Sequence, residues 1–101
     1  MQEAQCSTGI LLAINQGGEE TYSASATNCT FAPPIALSSN AVVFATGKNR
    51  YSSTSTARYA TEAVFSSSNI IVKLYAVAAT GAASYPSADT PFKYIAIGTA
   101  A

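Results

Sequence analysis

The chain carries no histidine and no tryptophan, one methionine, two cysteines, and few charges: five Lys plus Arg against five Asp plus Glu. Each shortage removes a class of function. Without histidine there is no Ser-His or Cys-His nucleophile pair and no His-based zinc site. A net charge of zero excludes a generic electrostatic binder of nucleic acid, which needs surplus Lys and Arg to displace counterions. It also argues against an acidic tail or a polybasic membrane anchor. The apolar run near the N-terminus, Ile10 to Ile14, is five residues long, where a membrane span needs about 20. The first ten residues hold Glu3 and no Lys or Arg, so the basic n-region of a signal peptide is missing. The chain is therefore expected to be made as it stands, with no membrane partner.

What remains is a chain of small and apolar residues. Ala, Ser and Thr number 20, 13 and 11, and charged residues are 10% of the 101, against about 25% in ordinary soluble domains. A hydrophobic fraction of 49%, with six Tyr and four Phe, supplies enough apolar surface to offset the entropy of ordering, which argues against disorder. The length is that of one domain. We expect an N-terminal arm over residues 1–8 and one folded domain over 9–101, with no linker or internal repeat.

Sustained helical spacing is absent, and the Ser and Thr runs favour extended or turn backbone. Strand patterns recur instead. Gly9 to Ile14 reads as a short strand ended by a turn at Asn15-Gln16-Gly17-Gly18. Tyr22, Ala24 and Ala26 alternate with Ser23, Ser25 and Thr27, as in a half-buried strand. Pro33-Pro34 stops a strand containing Phe31 and precedes another, Ile35 to Ser38. Ala41 to Thr46 follows, ended by the turn Gly47-Lys48-Asn49. Tyr59, Thr61, Ala63 and Phe65 share one face of a strand, which a short hairpin, Ser66 to Asn69, joins to Ile70–Ala79. There Ile70, Val72, Leu74 and Ala76 oppose Ile71, Lys73, Tyr75 and Val77. Gly81 to Pro91 reads as a loop, and Phe92 to Gly98 as the last strand. Seven or eight short strands with turn chemistry between them predict an all-β, antiparallel β-sandwich. Its expected core is Phe31, Ile35, Val43, Phe65, Val72, Leu74, Ile95 and Ile97. The face holding Ile71, Tyr75 and Val77 is too apolar for a free monomer surface and calls for cover by another subunit.

Three smaller features carry open alternatives. Cys6 and Cys29 read as separate small apolar residues, as an intramolecular bridge, or as a bridge between subunits. Asn28-Cys29-Thr30 fits a glycosylation sequon, which matters only in a secreted eukaryotic protein. Glu19-Glu20 beside Gly17-Gly18 lacks the Asp-x-Asp spacing of a calcium loop and reads as a solvated turn. No metal and no cofactor are expected. No pair among Glu3, Glu19, Glu20, Glu62 and Asp89 sits in a motif for glycoside hydrolysis, so the chain is expected not to be an enzyme.

The last strand, Phe92-Lys93-Tyr94-Ile95-Ala96-Ile97-Gly98, resembles the closing strand of H-type lectin-like sandwiches and of phage tail-fibre C-terminal domains. Thr30-Phe31-Ala32-Pro33-Pro34-Ile35 is similar to an earlier strand of theirs, and Gly9 to Gly17 resembles the opening strand of the tail-fibre domains. The resemblance implies a non-enzymatic bacteriophage virion structural protein, made in the host cytoplasm and displayed on the particle surface. Within that class a capsid decoration (cement) protein is expected, because 101 residues leave no room for the shaft that a fibre needs. The alternative is a tail-fibre tip or receptor-binding adhesin that binds carbohydrate. A sugar site here, lacking His and Trp, would rest on Tyr, Asn, Ser and Arg. The basic-aromatic cluster Lys48, Asn49, Arg50 and Tyr51 with Arg58 and Tyr59 could stack on a sugar, contact an acidic partner, or be a solvated loop. The implied partners are further copies of the chain in a homotrimer, other virion proteins such as the major capsid protein, bridged by Met1 to Ser7, and a host-surface glycan.

Overall fold

The computed structural model describes residues 13–47 and 58–101. Among them lie seven strands and no helix: β1 (Ile14–Tyr22), β2 (Cys29–Phe31), β3 (Val42–Gly47), β4 (Arg58–Ser66), β5 (Asn69–Val77), β6 (Ala83–Ser84) and β7 (Thr90–Gly98). They form two sheets, one ordered β1-β7-β3 and the other β2-β5-β4 with β6 also paired to β5, and every pairing is antiparallel. This is the predicted all-β antiparallel sandwich.

The two central strands, β5 and β7, supply most of the core. On β5 the alternation buries Ile70, Val72, Leu74 and Ala76; on β7 it buries Thr90, Phe92, Tyr94 and Ala96. Tyr22, Leu37 and Val43 complete the cluster between the sheets. Phe31 of β2 reaches across to the other layer, its ring centroid 4.9 Å from that of Tyr94 in an edge-on contact and 6.3 Å from that of Phe92. Such tilted aromatic pairs add to the area they bury. On one flank the sheets meet: the Thr61 hydroxyl of β4 donates to the Ala45 carbonyl of β3, and the Tyr59 ring lies over Gly47, where a Cβ would fall 2.9 Å from the ring. Pro91 sits one residue into β7, near the strand end where the missing N–H costs least.

Several expectations are corrected. Asn15-Gln16-Gly17-Gly18 is no turn; β1 runs straight through it, paired residue for residue with β7. Hydrogen bonding to β7 outweighs the turn preference of these residues, and Gly17 is required because a Cβ there would sit 2.6 Å from the Tyr94 carbonyl oxygen. The Ala24 and Ala26 segment is a turn rather than a strand. The Ala26 amide donates to the Ser23 carbonyl at 3.1 Å, and Ser25 takes a φ of 60°, the left-handed third position of a type II turn. Ile35 to Ser38 forms only a bridge, Leu37 to Ala100. Ile35 itself is half exposed, its backbone held by the Gln16 side chain, whose Nε2 donates to the Ile35 carbonyl and whose Oε1 accepts the Ile35 amide, both at 2.8 Å.

The core prediction divides in the same way. Val43, Val72 and Leu74 are buried, and Phe31 and Phe65 pack half-buried against the cluster. Ile95 and Ile97 do not belong to it: they point outward, because β7 commits Phe92, Tyr94 and Ala96 to the core. The face expected to need cover is mostly covered by the chain itself. Val77 is buried, and Tyr75 stacks on Tyr85 with centroids 5.4 Å apart.

Candidate interaction face

Of the basic-aromatic cluster, Lys48, Asn49, Arg50 and Tyr51 lie outside the described residues, as does Cys6. Arg58 and Tyr59 open β4, and strand alternation sends them to opposite faces: Arg58 is exposed, while Tyr59 is half-buried against the core. The structure therefore does not bring that pair together on one surface. Glu19 and Glu20 likewise fall on opposite faces of β1, Glu19 outward and Glu20 half-buried. Among the described residues no cluster of three or more His, Cys, Asp or Glu could hold a metal ion. Cys29 is a free thiol, half-buried, with Sγ 3.9 Å from the Thr21 carbonyl oxygen. Burial pushes its pKa up and the nearby Glu20 carboxylate adds to the shift, so it holds its proton and is a poor nucleophile.

The outer face of β1-β7-β3 is different in kind. Register and alternation lay its side chains out in rows across the three strands: Asn15, Ile97 and Val42; Gly17, Ile95 and Phe44; Glu19, Lys93 and Thr46. Two rows are apolar over β7 and β3. Phe44 is 60% exposed, Val42 and Ile95 are 52%, and Ile97 is 37%. Phe44 and Val42 stand directly opposite Ile95 and Ile97, the spacing at which cross-strand pairs touch. Exposed apolar residues scattered singly need no explanation, but four in one contiguous block do.

The relief of this face follows from β1. Gly17 has no side chain, so the surface drops beside Ile95, while on the other side of the same row Phe44 stands up. A trough of about 610 Å³ lies across the central strand, bounded by Gly17, Glu19, Phe44, Thr46, Lys93 and Ile95 among others. One end is apolar; the other carries one acid and one base on adjacent strands, Glu19 opposite Lys93. Sequence reasoning missed Val42 and Phe44 and misassigned Ile95 and Ile97. The available signal was that β3 and β7 are apolar on both faces, which marks a strand covered twice.

No protein-family model matches the chain, and comparisons with curated proteins and with solved structures find no match either.

Proposed function

We propose that this chain is a non-enzymatic attachment protein, a small β-sandwich that works by binding other protein through the outer face of β1-β7-β3. The setting implied by its motifs is the surface of a bacteriophage particle, with a capsid decoration protein as the leading role. The observation that carries the reading is the contiguous block of Val42, Phe44, Ile95 and Ile97, between about a third and three-fifths exposed. Left in water, such a block is a standing cost of about 25 cal/mol for each Å² of apolar area, recovered only when a partner covers it. Its wide, open and mostly apolar trough suits another protein surface better than a small polar ligand, which would need an enclosed site with converging hydrogen-bonding groups.

Immunogold electron microscopy of purified virions with an antibody to the protein tests the setting. Label distributed over the head supports the decoration role. Label confined to the tail tip overturns it in favour of a fibre-tip or adhesin role, and unlabelled particles overturn the virion reading altogether.

A further inference from the structure

We infer that the partner seated on the β1-β7-β3 face is a second copy of this chain, packed face to face about a twofold axis that runs along β7. The inference rests on reading that face as the attachment surface, and names what occupies it.

Shape is the first ground. Along the middle row the notch at Gly17 and the knob of Phe44 flank Ile95 on opposite sides. A rotation of 180° about the direction of β7 exchanges the two flanks. It sets Phe44 of each copy over Gly17 of the other, with Ile95 on Ile95 and Ile97 on Ile97 along the axis. Two sheets stacked in this way lie about 10 Å apart with strands nearly aligned, the ordinary geometry of sheet-on-sheet packing. A protein with knob and notch on the same flank would not have this property.

Charge is the second. The same rotation lays Glu19 of each copy over Thr46 of the other, one strand spacing from the other copy's Lys93. Lys93 meets Lys93 on the axis, and one Glu19 carboxylate from each copy flanks the two ammonium groups, so the cluster of two acids and two bases sums to zero. Rotation about an axis across the strands would instead lay Lys93 on Ile97, a charge desolvated against an apolar side chain.

Area sets the strength. Three strands about 4.8 Å apart, with about 3.3 Å per residue and up to nine residues each, span about 400 Å² per copy. That is about 800 Å² in total, below the 1,200 Å² or so of a standard stable interface. The pair is consequently weak and concentration-dependent, and becomes effective where many copies are displayed close together. A closed pair also leaves no open patch for filament growth. It differs from the homotrimer implied by the resemblance, and solution mass separates the two.

Sedimentation velocity and light scattering from about 10 micromolar to about 1 millimolar read the result. The expected mass climbs from 10.3 kDa toward twice that value. Phe44→Ser should weaken association at least about tenfold while leaving circular dichroism and melting temperature near those of the native chain, since the ring is exposed. Glu19→Lys and Lys93→Glu should each weaken it when alone, and an equimolar mixture of the two should associate again, because the mixed pair restores opposite charges. A mass fixed at 10.3 kDa, a trimeric limit, or association indifferent to Phe44→Ser overturns the inference. Labelled virions together with a strictly monomeric protein would remove the pair and leave the attachment reading standing; self-association without virion label would do the reverse.

Discussion

The β4–β5 hairpin turns on two residues that pay a conformational penalty. Ser67 and Ser68 connect the pair Ser66 and Asn69 and take φ values of 52° and 67°, both in the left-handed region. This is the pattern of a type I′ turn, whose twist matches that of the strands and which Asn-Gly satisfies best. A residue with a Cβ spends about 1–2 kcal/mol there. Replacing Ser68 by Gly removes that cost but adds about 0.5–1 kcal/mol of unfolded-state entropy, and Asn at position 67 contributes a few tenths more. The double substitution Ser67→Asn, Ser68→Gly should therefore stabilise the fold by about 1 kcal/mol. For a domain of this size that raises the melting temperature by roughly 4–8 °C. Thermal and urea denaturation followed by circular dichroism measure it. Ser68→Val provides the opposite sign, a loss of about 1–2 kcal/mol, because a β-branched side chain is least tolerated at positive φ. A double variant that melts at or below the native temperature would refute the left-handed geometry assigned to this turn.

Phe92→Ala should cost about 3–5 kcal/mol, since the ring is fully buried, whereas Ile95→Thr, three positions beyond it on the opposite, exposed face of β7, should cost under about 1 kcal/mol; equal losses in denaturant titrations would reverse the facing of β7. Gln16→Ala should remove both hydrogen bonds to the Ile35 backbone at about 1 kcal/mol, and amide exchange at Ile35 should quicken while that of β5 stays slow. Stability should fall at alkaline pH. Burial raises the phenol pKa of Tyr22 and of Tyr94 above the ordinary 10.0 and the Cys29 thiol above 9.0. A group whose pKa is raised by folding contributes stability that is complete below its unfolded value and is lost as pH climbs through the folded one. Melting temperature should accordingly hold level up to about pH 8–9 and decline above it; a rise between pH 9 and 11 would contradict the burial of these groups.

The fold class was legible because the strand period survives in the central elements. Ile70, Val72, Leu74 and Ala76 alternate with bulkier or polar neighbours, and burial follows that alternation along β5. The Ser-rich hairpin was readable for the same local reason. What failed was local preference overridden by pairing at a distance. Asn15 to Gly18 has turn chemistry, yet β7 lies some 80 positions further along the chain and supplies a full ladder of partners. Tertiary hydrogen bonding of that kind cannot be seen in a short window.

The candidate face escaped for a deeper reason. On β7 the two faces read Phe92, Tyr94, Ala96 and Lys93, Ile95, Ile97; by apolar content alone the second set is as good a core as the first. What decides is the partner layer. Phe31 and the β5 residues stack on the Phe92 side, and once that side is filled no third layer among the described residues covers Ile95 and Ile97. The alternation thus fixes which residues travel together without saying which set faces inward, and a strand apolar on both faces is evidence for two covering layers. The chain supplies one of them. Among the described residues nothing supplies the other, and the isoleucines expected in the core are the ones on which the proposed attachment role rests.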